Sequence, residues 1–285
     1  MSGEPASLEL QEVRGPSVLG GGRRRFFDLL WLLSLNEFRK TYFGSVLGYV
    51  WSLVRPLLLF AVLYVVFTKI IRFGSAEIAH YPVLLLFNVV LFGYFQEATG
   101  GAVGSVLAQE AIVRKTQFPR LVIPLSPCLI ALFTLGLNMV AVLVFILAAG
   151  ITPVWTWLLF PLVLLPLLIL TAALSMLLSA LNVRFRDVGI IWVVVAQALF
   201  YATPIIYPIT TSAIPATLHD ILLINPLALI LTQARHWILE PSAPSAVAAA
   251  GGWLHMLPAV AVFLAICALG VWVFKREAPK IAELL

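Results

Sequence analysis

Long apolar runs separated by short polar or charged breaks set the pattern of this chain. Six runs, at 51–67, 81–107, 121–149, 154–181, 188–207 and 253–274, are close to or beyond the length a spanning helix needs. That length is about 20 residues for about 30 Å of hydrocarbon. The runs are too long and too uniformly apolar for alternating barrel strands, and open strands would leave unsatisfied backbone in lipid. The predicted class is an all-α polytopic membrane protein with six transmembrane helices.

Two stretches break this rhythm. Over 27–42, Phe27, Trp31, Leu35, Phe38 and Tyr42 recur at helical steps, with Asp28, Asn36, Glu37, Arg39 and Lys40 mostly on the other side. A helix with bulky aromatics on one face and charge on the other lies in the membrane interface, so an N-terminal amphipathic interfacial helix is predicted over 26–43. Over 208–252, five prolines interrupt short apolar segments at 221–224 and 227–231. Short helices broken by proline suit a pair that dips into the outer leaflet and returns. Re-entrant outer-side helices are therefore expected over about 209–240, between spans five and six, with a seventh spanning helix as the alternative.

Composition sharpens the class. Of 285 residues, 62% are apolar and 11% charged, and the mean hydropathy is +1.04. A soluble domain carries about 25% charged residues. A cytosolic globular enzyme, a disordered segment and a nucleic-acid-binding domain are all excluded. Residues 1–25, rich in Gly, Ser, Pro and Glu, predict a flexible cytoplasmic tail. The Arg23-Arg24-Arg25-Phe26-Phe27 run is no cleaved signal, because Asp28 interrupts it and no small-residue cleavage site follows. The two Cys lie inside apolar runs, and the four His are scattered without metal-ligand spacing.

The net charge of +5 matters less than its distribution. With the N-terminus inside, fourteen of the eighteen Lys and Arg fall on the cytoplasmic side: Arg14, Arg23 to Arg25, Arg39, Lys40, Arg114, Lys115, Arg120, Arg184, Arg186, Lys275, Arg276 and Lys280. Lys69, Arg72 and Arg235 fall outside, and Arg55 sits in the first run. The positive-inside rule makes both termini cytoplasmic. Residues 276–285 form a second cytoplasmic tail.

Some residues stand out at membrane depth. Arg55 precedes Pro56, which favours a first helical turn, so span one is expected to begin near Pro56 with Arg55 reaching back to the interface. Glu97 lies toward the cytoplasmic half of span two, as a path-lining, subunit-contact or interface residue. Gly100 and Gly104 are spaced for close helix packing. The cytoplasmic stretch 108–119 can form a short helix stopped at Pro119. No GxxxxGK[ST] loop, GxSxG elbow or acidic cluster is present, so neither ATP hydrolysis nor a catalytic centre is expected in this chain. No metal or cofactor site is predicted.

YFGSVLGYVWSLVRPLL (42–58), VRKTQFPRLVIPLS (113–126), LNVRFRDV (181–188), TPIIYP (203–208) and INPL (224–227) occur in this order. Together they resemble the membrane subunit of ABC-2-type polysaccharide exporters, the O-antigen, capsule and teichoic-acid export permeases. The resemblance covers roughly 25–275 and implies an ABC-2-type transmembrane domain over 44–275. It implies a homodimer working with two ATP-binding cassette subunits, which would hold the ATP and Mg. Residues 108–118 would be a coupling helix, with Glu110, Arg114 and Lys115 facing the ATPase, and the segments after Pro208 would be outer gate helices. The cargo would be polysaccharide on a polyprenyl pyrophosphate, moved out across the bacterial plasma membrane, with spans one and five lining its path.

A sliding glycan benefits from aromatic faces and exchangeable hydrogen bonds. Tyr64, Tyr94, Trp192, Gln197, Phe200, Tyr201 and Tyr207 are the candidates for the path, with Trp192 and Phe200 on one helical face and Gln197 and Tyr201 on another. Arg39, Lys40 and Arg55 are the candidates to attract pyrophosphate at the entrance, or equally to hold anionic lipid. Two alternatives remain at this stage. One is an ABC-2 exporter of small lipids or drugs; the other is a membrane-embedded glycan-modifying transferase.

Overall fold

The computed structural model describes residues 22–43, 48–71, 78, 80–109, 119–209 and 215–278, and their regular structure is helical throughout. Helix α1 spans Arg23–Phe43, and α2 spans Gly48–Tyr64 and continues as a π-helical turn, Val65–Ile70. Then come α3 (Tyr81–Val103), the short α4 (Ser105–Ala108) and α5 (Val122–Ala148). A 3₁₀ turn, Trp155–Leu159, leads into α6 (Phe160–Arg184), followed by α7 (Val188–Ala202). The chain ends through α8 (Ala216–Leu223), α9 (Pro226–Ile238), α10 (Ala246–Ala249) and α11 (Trp253–Glu277).

Five helical stretches are long and apolar enough to cross a membrane: Val50–Ile70, Tyr81–Val103, Val122–Ala148, Trp155–Arg184 and Trp253–Glu277. They coincide with five of the six expected spans. The other, expected over 188–207, is shorter. Helix α7 stops at Ala202 after 15 residues, about 22 Å of rise. Pro204 explains the stop, because a residue before proline avoids the helical region; Thr203 is accordingly extended.

Helix α3 is the axis of the fold. It is mostly buried, whereas α2 and α11 have few buried residues, and it packs chiefly on α5 and α6. Small residues make the tight contacts, as expected where lipid supplies no hydrophobic drive between helices. Thr171, Ser175 and Ser179 form one buried face of α6, and Ser175 Oγ lies 3.2 Å from Cys128 Sγ of α5. On the other side of α6, Gly270 of α11 meets the backbone of Ala173 so closely that an added Cβ would sit 2.3 Å from its carbonyl oxygen. The expectation for Gly100 and Gly104 is corrected: both face open space, and the close contact of α3 is made by Gly101 against Pro127.

Helix α1 lies along α5. Ser34 is buried with its hydroxyl 3.0 Å from Ser126 Oγ, and Trp31 and Phe38 meet Phe133 edge-on. The face turned to the protein centres on Phe26 and Ser34, while Phe27, Trp31 and Leu32 stay largely exposed. The expected aromatic stripe therefore divides between protein and surroundings. Pro56 is likewise not in a first turn: α2 begins at Gly48, so Arg55 and Pro56 stand inside the helix.

The helix ends sort into two groups. Val106, Ile123, Ala180, Phe274 and Ala278 form one cluster, gathering α4 with the ends of α5, α6 and α11, beside which lie Arg120, Arg184, Lys275 and Arg276. Arg120 donates to the Ala278 carbonyl there. At the other end, Ile209, Leu222, Leu223, Ala228, Leu229, Ala246 and Ala259 cluster around α8, α9 and α10.

Candidate functional site

A cavity of about 450 Å³ opens between α2, α3 and α5. Its polar wall combines Ser52 and Arg55 from α2, Gln96 and Glu97 from α3, and Thr134 and Asn138 from α5. Pro56, Leu59, Val89, Val90 and Leu135 make the apolar part. Thr134 Oγ1 donates to Glu97 Oε1 at 3.2 Å. Arg55 acts electrostatically on the same carboxylate, yet the two charges do not close into an ion pair. Gly93 keeps the wall open, since a Cβ there would meet nothing within 4 Å. Arg55 lies five residues into the apolar stretch that starts at Val50, about 8 Å of rise. Glu97 lies six residues before the end of α3, about 9 Å. Both charges thus sit about one and a half turns inside the basic end.

Helix α7 has two contrasting faces. Trp192, Ala196 and Phe200, at four-residue steps, are buried against α3. Trp192 Nε1 donates to Thr99 Oγ1 at 3.2 Å, and the rings of Trp192 and Phe200 meet Phe95 and Phe92. The opposite face is open, with Gln197 exposed and Tyr201 57% exposed beside Val193 and Val194. Of the candidates for a path, Gln197 and Tyr201 are therefore accessible in this chain, Trp192 and Phe200 are packed inside it, and Tyr94, itself buried, lines the cavity between α2, α3 and α5. Tyr64 is half-buried and stacks on Phe60 at 5.8 Å. The Tyr207 hydroxyl donates to the Tyr201 carbonyl at 3.0 Å, which places the two tyrosines together.

The TPIIYP stretch forms a buried block beyond α7. Thr203 to Ile206 are all buried, and two prolines leave its backbone without helical partners. Side chains of α3 supply them. Asn88 Nδ2 lies 3.3 and 3.2 Å from the carbonyls of Pro204 and Ile205, and the Tyr81 hydroxyl donates to Ile206 at 2.9 Å. INPL completes the block. Asn225 Oδ1 accepts from the Leu227 N–H at 3.0 Å, capping α9, while its Nδ2 donates to Thr203 Oγ1 at 2.9 Å. Pro226 takes the first helical position, where a missing N–H costs nothing. Past α9, Arg235 pairs with Glu240, and Gln233 Oε1 accepts from the Ala246 N–H at 2.9 Å.

Arg39 and Lys40 are exposed at the end of α1, and Lys40 pairs with Glu37 at 2.9 Å. Neither lines the cavity that Arg55 lines. Glu110, Arg114 and Lys115 lie outside the described residues, as does nearly all of the expected coupling helix over 108–118. Residues 210–214, within the expected gate helices, do too; α8 and α9 meet at a 91° bend. Among the described residues no three His, Cys, Asp or Glu side chains gather where they could hold a metal. The roles of Ser52, Thr134 and Asn138 escaped the sequence reading. The available signal was a pair of polar residues four apart, on one helical face, inside the third apolar run.

The pattern of the ABC-2 type transporter family matches residues 28–239. The chain is 30% identical over 253 residues to the O-antigen export system permease protein RfbA of Myxococcus xanthus, covering 89% of this chain and 94% of that protein. It is 31% identical over 210 residues to a protein of the same description from Klebsiella pneumoniae, covering 73% and 79% respectively.

Proposed function

The chain belongs to the ABC-2 type transporter family, and we propose that it is the membrane subunit of an ATP-driven exporter of polysaccharide. The similarity to an O-antigen export permease over 89% of this chain and 94% of the relative carries the reading. It extends over 253 residues rather than one motif. The cargo is a glycan on a polyprenyl pyrophosphate, and ATP is hydrolysed on two separate cassette subunits.

Within this reading, two copies face each other across the open sides of α2 and α7. Val50, Trp51, Leu58 and Val62 on α2, and Ile190, Val193 and Val194 on α7, are large apolar side chains that the single chain leaves uncovered. Gln197 and Tyr201 share the open face of α7 and offer an amide and a ring to a passing sugar chain. Arg39 and Lys40 supply positive charge on the cytoplasmic side, where the pyrophosphate arrives. Helix α1 rests in the interface, and the pair α8–α9 is re-entrant at the outer end. Residues 108–118 carry force from the ATPase, with Glu110, Arg114 and Lys115 in contact with it.

The test is reconstitution of the chain with its cassette subunit in vesicles, with lipid-linked glycan supplied on the cassette side. Glycan is expected to become accessible across the bilayer only with both ATP and the cassette subunit present. Transport that proceeds equally without either would overturn the reading. ATP-dependent movement of small lipids with no movement of glycan would favour a lipid exporter instead.

A further inference from the structure

The cavity between α2, α3 and α5 holds an arrangement that an entrance for pyrophosphate does not need. A guanidinium and a carboxylate face one space from two helices, and they stop short of each other. A charge at the centre of a spanning helix costs about 2.5–3.5 kcal/mol on insertion scales, and even part of that cost would favour closing the pair by mutual neutralisation. Instead the space is kept open by Gly93, and the amides of Gln96 and Asn138 border it.

Charge complementarity narrows the occupant. A dianionic phosphate satisfies Arg55 but meets Glu97, which repels it. An alkyl tail leaves both charges and the amides unmatched. A phosphodiester joined through two carbons to a primary ammonium satisfies both ends with charge-assisted hydrogen bonds. The depth agrees, because the two charges lie only about 8–9 Å inside the basic end of the helices. Leu59, Val89, Val90 and Leu135 then offer an apolar surface to the part of a lipid nearest its headgroup. We propose that this cavity binds the headgroup of a zwitterionic aminophospholipid from the leaflet at the basic end. Naming that leaflet as cytoplasmic rests on the orientation proposed above; the binding itself rests on no assumption about the cargo.

Native mass spectrometry of the full chain, delipidated and offered equal phosphatidylethanolamine and phosphatidylglycerol of matched acyl chains, tests this. The wild type is expected to retain phosphatidylethanolamine preferentially. Glu97→Gln removes the partner of the amine and should erase the preference, a change of about tenfold, the size of one charge-assisted hydrogen bond. Arg55→Gln should lower retention of both lipids, and Arg55→Lys should restore it. Gly93→Leu, whose Cβ would meet nothing within 4 Å, extends a side chain into the cavity and should also lower both, so the proposal remains testable if a charge variant fails to fold. Equal retention of both lipids by the wild type, or an undiminished preference in Glu97→Gln, overturns the proposal. So does displacement of the bound lipid by soluble oligosaccharide, which would make the cavity a sugar site. None of these outcomes depends on transport, so failure here is distinguishable from failure of the exporter reading.

Discussion

Asn225 performs two tasks with one side chain: it caps α9 through Oδ1 and holds Thr203 through Nδ2. Asn88 likewise serves two carbonyls of the buried TPIIYP block. Removing either leaves buried polar groups unsatisfied, at about 1–3 kcal/mol for each group. Asn225→Ala and Asn88→Ala should each lower the thermal unfolding temperature of the purified protein, whereas Gln96→Ala, at an exposed cavity position, should change it little. The sequence made these motifs conspicuous by their prolines. It could not tell that one buttresses the other, since the partners are 22 residues apart in the chain. The same distance blindness hid the cavity. Glu97 was visible as a charge out of place, but its companions Thr134 and Asn138 looked like ordinary polar interruptions until α5 was laid beside α3.

At the scale of elements, the period of α7 decides how its residues should behave on mutation. Trp192→Ala and Phe200→Ala empty space against α3 and should cost about 3–5 kcal/mol of stability. Gln197→Ala and Tyr201→Ala touch nothing comparable in this chain, so they should leave the unfolding temperature nearly unchanged and lower glycan transport in reconstituted vesicles. Transport unaffected by both would remove Gln197 and Tyr201 from the path. Glycines divide in the same manner. Gly270→Ala pushes a methyl into the Ala173 backbone and should destabilise the protein, measured as early aggregation on heating. Gly100→Ala, in open space, should be tolerated and even gain a few tenths of a kcal/mol from helix propensity. The spacing of Gly100 and Gly104 suggested the reverse. Spacing marks where a helix is smooth, not which neighbour arrives, and close approach went to a glycine with no partner four residues away.

For the whole molecule, the runs of apolar residues located five spanning helices from sequence, because length and hydropathy are sufficient for that purpose. The shortness of α7 was not legible, since Pro204 ends the helix while the apolar run continues past it. The gathering of basic residues at one end is now both a sequence count and a spatial fact, as Arg120, Arg184, Lys275 and Arg276 share the end built on Phe274 and Ala278. Sidedness is directly measurable. In a background with Cys128→Ala and Cys267→Ala, a cysteine at Lys69 should react with an impermeant maleimide applied outside intact cells. A cysteine at Arg184 should react only after the membrane is opened. The opposite pattern would invert the orientation.

The buried block after α7 also bears on the order in which the chain is made. Helix α7 is short for a membrane, and the segment after its C-terminal end is secured by Asn225, which leaves the ribosome 22 residues after Thr203. While that stretch is still being synthesised, α3 already waits with Asn88 and Tyr81, but the second clasp is missing. A nascent chain cut before Asn225 should hold α7 less firmly in the bilayer than one cut after Ile238, an effect that glycosylation-site mapping of arrested chains would reveal. Insertion of this region is thus completed backwards, with a later segment fixing an earlier one in place.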